Sequence, residues 1–149
     1  MHLLLPLGFT LSPLLGWLAG WPWLTVLLAA VALPLAEWLL GRADGEAPAW
    51  RWGEGFPRAA MLCVLAICTA LPLLASGGDW TAWLPLALGC GYVAGGIGIV
   101  LAHELGHRRP FADRLLARAL LCLIGFGHYA LEHNRGHHRH VATPEDPAS

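Results

Sequence analysis

Two groups of histidines near the end of the sequence have the spacing of metal ligands. The first is HELGH, in which His103 and His107 are four residues apart. The second is HNRGHH, in which His133 and His137 repeat that spacing and His138 adds a third imidazole beside them. Residues four apart lie on one face of an α-helix, so each pair can present both rings to one metal ion. We therefore predict that all five histidines bind metal.

Several polar residues around these clusters suit supporting roles. Glu104, Glu132 and Asp146 each carry a carboxylate that could accept the free ring N–H of a ligating histidine. His128 and His140 do not follow the four-residue spacing, and we interpret them as structural or outer residues.

The number of histidines bears on the metal. All-imidazole sites suit zinc or iron. A catalytic zinc normally takes three protein ligands and a water molecule, and five candidate ligands exceed that number. The sequence therefore favours two metal ions in a shared site. Iron is the better choice if the chemistry is oxygen activation at an apolar substrate.

The elements that must position these clusters are apolar runs. Four runs precede or reach the first cluster, at residues 3–20, 24–40, 59–76 and 80–102. A membrane-spanning helix needs about 17–25 apolar residues. The composition agrees, because 56% of the 149 residues are hydrophobic and only 13% are charged, against about 25% charged in soluble domains. We predict an all-α, polytopic membrane bundle with four transmembrane helices.

The distribution of arginine predicts the orientation of these spans. If all four runs cross, every basic residue falls on one side, which the positive-inside rule makes cytoplasmic. These residues are Arg42, Arg51, Arg58, Arg108, Arg109, Arg114, Arg118, Arg135 and Arg139. Both histidine clusters lie on that side. The net charge of −1 argues against a nucleic-acid-binding protein, which needs a basic face.

The segment 111–131 is apolar enough to resemble a fifth span. A crossing would separate the arginines before it from those after it, and Arg118, Gly125 and Gly127 interrupt it. We predict instead an interfacial or re-entrant helix on the cytoplasmic side that carries histidine boxes.

The stretches AHELGHRR (102–109) and EHNRGHH (132–138), followed by VATPEDPAS (141–149), resemble the integral-membrane alkane 1-monooxygenases. These enzymes belong to the wider membrane fatty acid desaturase and hydroxylase superfamily. The tail is the most specific part of the resemblance, because no general metal chemistry demands it. Strong motif identity is confined to residues 102–149.

The resemblance implies a non-haem di-iron enzyme of the bacterial inner membrane. It would hydroxylate the terminal carbon of an alkane with O2 and with electrons from a rubredoxin and its reductase. His103, His107, His133, His137 and His138 match the ligand positions of the family. A box of the form NYxEHYG and a third histidine box of the form LQRHSDHH are not found in this sequence. We therefore expect one membrane domain, residues 1–149, that is the N-terminal part of a longer hydroxylase, with an incomplete set of iron ligands and little activity alone.

Three alternatives remain at this point. A desaturase or hydroxylase acting on fatty acyl chains would carry boxes of the same kind. A membrane zinc metalloprotease would use HELGH, with Glu104 activating water, although EHNRGHH would then be unexplained. The chain could also be a defective membrane fragment without a function of its own.

Overall fold

The computed structural model describes residues 4–40, 55–75, 77 and 79–146. Within these ranges the chain is helical and contains no strand. Arg42, Arg51, the predicted span ends at residues 3 and 76, and the last three residues of the tail, 147–149, lie outside them. The all-α prediction is confirmed for the part of the chain that is described.

Within the described residues, six helices follow one another. Helix α1 is Leu4–Leu18, α2 is Leu24–Leu40, α3 is Phe56–Ala75, α4 is Trp80–Gly106, α5 is Phe111–Leu123, and α6 covers 129–140. Three of them contain a π-helical turn, Leu28–Ala32 in α2, Ala94–Gly98 in α4 and Glu132–His137 in α6.

Helices α3 and α4 are long and apolar enough to cross a membrane. Their 20 and 27 residues have mean hydropathies of 2.0 and 1.9. At 1.5 Å per residue, α4 is about 40 Å long, roughly 10 Å more than the hydrocarbon core of a bilayer. The sequence HELGH forms the last turns of this helix, at the end farthest from Trp80. Helices α1 and α2 are apolar but shorter, with 15 and 17 residues.

The core joins α3, α4 and α5 near the HELGH end of α4. It contains the buried side chains Met61, Val64, Val93, Ala94, Ala102, Leu105, Ala117, Leu120 and Leu121. Helix α5 contributes a stripe with helical periodicity, since residues 113, 117, 120 and 121 are buried. The core therefore holds α5 against the part of α4 that carries the first histidine cluster.

Two of the glycines on α4 are sites of close helix contact. A Cβ at Gly89 would lie 2.9 Å from the Cβ of Thr25 on α2, and a Cβ at Gly98 would lie 2.6 Å from Leu120 Cδ2 on α5. Gly91, Gly95 and Gly96 have nothing within 4 Å of such a Cβ. Of these five glycines, Gly89 and Gly98 are thus the two at which α4 packs closely against a neighbouring helix. Thr25 also meets α1, through a 2.9 Å contact between its Oγ1 and Ser12 Oγ.

The segment 111–131 forms two helices rather than one. Helix α5 ends at Leu123, and Gly125 adopts a positive φ of 74° that a residue with a side chain rarely takes. With 13 residues, α5 is about 20 Å long, too short to cross a hydrocarbon core of about 30 Å. Neither histidine cluster lies on α5, because HELGH ends α4 and HNRGHH lies on α6.

A buried carboxylate ties three helices together. Asp113 on α5 is fully buried and accepts hydrogen bonds from Arg58 at the start of α3, one from Nε and a second, 3.1 Å long, from Nη2. Arg108, just after α4, places Nη1 4.0 Å from the same carboxylate and Nη2 3.3 Å from Glu104 of HELGH. Hydrogen bonds from Arg58 hold the pKa of Asp113 below its usual range. The charges Arg58, Asp113, Arg108 and Glu104 thus form one chain of contacts, which we call the arginine clamp.

Replacement of Asp113 by Asn should destabilise the fold by about 1.5 kcal/mol or more, because Arg58 and Arg108 lose the negative charge that they share. Thermal unfolding of the purified chain in detergent, followed by circular dichroism, measures the loss. Asp79→Asn is the matched control. Asp79 is exposed and caps α4 by accepting from the Thr81 backbone N–H, which Asn does equally well.

The wild-type protein and Asp113→Asn also give a pH test. The pKa of Asp113 is lowered on folding, so its contribution is complete above the unfolded pKa of about 3.9 and is lost as the pH falls through the folded value. The stability difference between wild type and Asp113→Asn should be constant above about pH 5 and shrink below about pH 4. A stability difference that stays constant down to pH 3 would contradict a contact that depends on the negative charge of Asp113.

Candidate metal centre

The end of α4 and the helix α6 bring histidines from both clusters together. His107 Nε2 lies 3.2 Å from His103 Nε2 and 3.2 Å from His133 Nε2. His138 Nε2 lies 3.1 Å from His133 Nε2. The four imidazoles therefore point the same nitrogen toward a common region, although 26 residues separate His107 from His133.

These separations are those of neighbouring ligands on one metal ion. With metal–nitrogen bonds of about 2.0–2.1 Å, adjacent nitrogens are about 2.8–3.0 Å apart in an octahedral site and about 3.3–3.4 Å apart in a tetrahedral one. The observed 3.1–3.2 Å lies between the two. The ligating atoms of His103, His107 and His133 all lie within 4.8 Å of one another, which identifies a group that could hold a metal ion. The widest of these separations would have to contract a little on binding.

His137 is held differently. Its Nδ1 lies 3.0 and 2.9 Å from the two carboxylate oxygens of Asp146, which is 7% exposed. Donation of the Nδ1 proton to Asp146 leaves the Nε2 lone pair for a metal, the arrangement that fixes the tautomer of many histidine ligands. The His137 ring stacks at 22° on His133, with 5.5 Å between centroids. The structure thus places His137 beside the four-histidine group rather than within it.

The tail VATPED is folded so that Asp146 returns to His137. Helix α6 ends at His140, whose carbonyl accepts hydrogen bonds from the backbone N–H and the hydroxyl of Thr143, 2.9 and 2.6 Å long. Ala142 has a positive φ of 64°, and the Asp146 N–H donates to Thr143 O. This compact turn brings the carboxylate of Asp146, one of the three that the sequence proposes as partners of a ligating histidine, to His137.

An aromatic stack orients α6. The rings of Phe126 and Tyr129 are 5.2 Å apart at 21°, and those of Tyr129 and His133 are 5.0 Å apart at 16°. His137 continues the stack, so four rings on one side of the helix support one another. Burial, followed by the neighbouring histidines, lowers the pKa of His133, which favours the neutral ring that a metal requires.

The remaining predicted residues lie elsewhere. The carboxylate of Glu104 contacts Arg108 at 3.3 Å, and Glu132 places Oε2 3.9 Å from His128 Nε2. Asp146 is thus the one of the three proposed supporting carboxylates that contacts a predicted ligand. His140 contributes its backbone carbonyl to the tail turn, and His128 makes an edge-to-face contact with Phe126.

Sequence reasoning missed other residues of the site. Arg114, Arg118 and Tyr129 line a cavity of about 50 Å³ beside the histidines. The four-residue spacing of Arg114 and Arg118 along α5 could have indicated that they share a face. Which way that face points depends on how α5 packs against α4, and the sequence does not show this.

Comparison with known proteins places this region in context. Residues 78–149 match the model of the family described as fatty acid desaturase. The chain is 46% identical over 71 residues to an alkane 1-monooxygenase of Pseudomonas putida, a match that covers 48% of this chain and 17% of that protein. It is 49% identical over 67 residues to alkane 1-monooxygenase 1 of Alcanivorax borkumensis, covering 45% and 16%.

A longer match extends over the helices that precede the histidines. The chain is 31% identical over 144 residues to alkane 1-monooxygenase 2 of Pseudomonas aeruginosa, covering 87% of this chain and 38% of that protein. The chain therefore spans less than two fifths of the length of these relatives.

The contact between Asp146 and His137 gives a prediction for metal binding. Asp146→Asn should weaken binding of Co²⁺ by about 10–100-fold, because the amide no longer fixes the tautomer or raises the basicity of His137. Titration of the visible Co²⁺ bands in detergent measures the affinity. The neighbouring, exposed Glu145 supplies the control Glu145→Gln, which should bind as wild type does. Equal affinities for the two variants would show that His137 is not a ligand.

Proposed function

We propose that this chain, a member of the membrane fatty acid desaturase and hydroxylase superfamily, is the metal-binding part of an alkane monooxygenase. Two non-haem iron ions would bind at the histidines of HELGH and HNRGHH, which are His103, His107, His133, His137 and His138. The reaction would insert one atom of O2 at the terminal carbon of an alkane. The observation that carries the proposal is the convergence of Nε2 atoms from the two helices within 3.2 Å.

The residues fit iron in their donor chemistry. Imidazoles are ligands that suit iron, and the described site offers more of them than one catalytic zinc takes. Bound iron would supply the activation of O2. The chain itself would hold the ions at the end of α4, keep His133 neutral and fix the tautomer of His137 through Asp146.

We further propose that residues 1–149 form one membrane domain with four spans, α1 to α4, and with both clusters at the cytoplasmic face of the inner membrane. The length of α4 beyond about 30 Å supports a site at the membrane surface. Single cysteines introduced at Gly55 and Gly77, in a chain whose own cysteines are replaced by alanine, test this arrangement. An impermeant maleimide should label them from opposite sides, and labelling from one side would contradict α3 as a span.

This placement also suits the substrates and the electron donor. An apolar chain can reach the site from the bilayer, whereas a soluble protein can approach only from the aqueous side. We propose that rubredoxin, reduced by rubredoxin reductase, delivers the electrons there. The same site would serve a hydroxylase of fatty acyl chains, since the matching family is described as fatty acid desaturase.

A zinc protease is less consistent with the geometry. In that class of enzyme the glutamate of HExxH activates a metal-bound water and must face the metal. The Glu104 carboxylate contacts Arg108 instead and is 54% exposed. His138 Nε2 also lies 3.1 Å from His133 Nε2, and a catalytic zinc held by His103, His107 and His133 assigns His138 no role.

A chimera tests the proposed function without requiring this chain to act alone. Residues 78–149 would replace the matching segment of the Pseudomonas putida alkane 1-monooxygenase. We expect cells that express the chimera to convert linear alkanes to terminal alcohols, with one atom from labelled O2. His133→Ala should abolish this conversion, because it removes the nitrogen that links the two clusters, and His140→Ala should retain it.

Mass spectrometry of the products from a panel of alkanes and fatty acids separates the two substrate classes. Products from fatty acids alone would replace the alkane proposal by the acyl one. Full conversion by the His133→Ala chimera would overturn the role of the histidines in either reaction.

A further inference from the structure

We propose that the cavity between α5 and the histidines is a binding site for a small oxyanion, a carboxylate or phosphate group held by Arg114 and Arg118. The full affinity of this site for the anion depends on the proposed metal centre, because a metal ion on the histidines would attract the same anion. The two guanidinium groups can bind an oxyanion without the metal, so the two proposals are tested separately.

The shape of the cavity suggests what it holds. Its volume is about 50 Å³, and His103, His107 and His133 line it together with Arg114 and Arg118. Buried alanine and leucine side chains complete its lining. This space accommodates a group of a few heavy atoms, which excludes a long acyl chain and admits a carboxylate or a phosphate.

The cavity lining carries basic side chains and no acidic one, and both Arg114 and Arg118 are also exposed to solvent. Arg114 donates from Nη1 to the backbone carbonyl of Arg109, 2.8 Å away, and within the described ranges neither Arg114 nor Arg118 pairs with an acid. The acids within the histidine motifs have other contacts: Glu104 contacts Arg108, and Glu132 contacts His128.

An oxyanion would remove this imbalance. A guanidinium presents several N–H donors in a plane and binds a carboxylate or phosphate through two parallel hydrogen bonds. A third oxygen could face the histidines, where a bound cation would be the largest local charge. The anion would then be a counter-charge shared by arginine and metal. Its source is either a free oxyanion of the aqueous phase or the phosphate of a lipid headgroup, since α5 is proposed to lie at the membrane surface.

The test uses the complete chain in maltoside micelles without phospholipid. In one arm, ³¹P NMR follows inorganic phosphate with the metal-free chain. In the other, the visible bands of the Co²⁺-loaded chain are followed while phosphate or acetate is added at constant ionic strength. We expect saturable binding in both arms, tighter with Co²⁺, and weakened about tenfold or more by Arg118→Gln or Arg114→Gln, since each removes a charge-assisted hydrogen bond. Arg139→Gln should bind as wild type does, because Arg139 is exposed like Arg114 and Arg118 but does not line the cavity.

The source is distinguished by repeating the phosphate titration in nanodiscs. If phosphatidylcholine, which carries a phosphate but no net charge, weakens phosphate binding relative to the lipid-free micelles, the lipid headgroup occupies the site, and if it does not, the ligand is a free oxyanion. Phosphate binding without any Co²⁺ bands would overturn the proposed metal function and leave the anion site standing. Absence of saturable binding, or arginine variants that match Arg139→Gln, would overturn the anion site.

Discussion

The constraint on which the site depends is electrostatic. Four imidazole Nε2 atoms lie in a chain with separations of 3.1–3.2 Å, and two neutral nitrogens with their lone pairs toward each other repel. Such an arrangement is stable only if a proton or a cation lies between the nitrogens. A neutral ring with its proton on Nε2 can donate to only one neighbouring Nε2, and further protonation would add positive charge beside two arginines, while burial and the neighbouring histidines lower the pKa of His133. A metal ion would accept the lone pairs of His103, His107 and His133, whose ligating atoms lie within 4.8 Å of one another.

The rest of the fold keeps this arrangement in place. Helix α4 carries HELGH beyond the apolar region, and α5 packs against it through Leu120, which meets Gly98. The arginine clamp fixes α5 to the start of α3 and connects, through Arg108, to the glutamate of HELGH. The chain then turns at Gly125 and enters α6, where the aromatic stack sets the direction of His133. Each of these contacts further restricts the distance between the two histidine clusters.

The sequence alone predicted the parts that depend on local pattern. Hydropathy located the helical segment 24–40 correctly and placed the start of α4 at residue 80, and histidine spacing predicted which rings share a face. The contact of Asp113 with Arg58 could not be predicted in this way, because 55 residues separate them and either charge is equally plausible on a solvated surface. The return of Asp146 to His137 depends on a backbone turn at Ala142, a residue type that gives no warning of a positive φ. From the sequence, Arg114 and Arg118 likewise indicate only a basic helix. The packing of α5 is what directs them to the histidines.

The central claim is that HELGH and HNRGHH supply ligands to the same metal ion. X-ray absorption spectroscopy of the chain loaded with a single equivalent of Co²⁺ measures the number of imidazoles around that ion. We predict at least three, and one fewer in His133→Ala and in His107→Ala alike. An unchanged imidazole count in His133→Ala would mean that the first ion binds HELGH alone, and the shared centre would be contradicted.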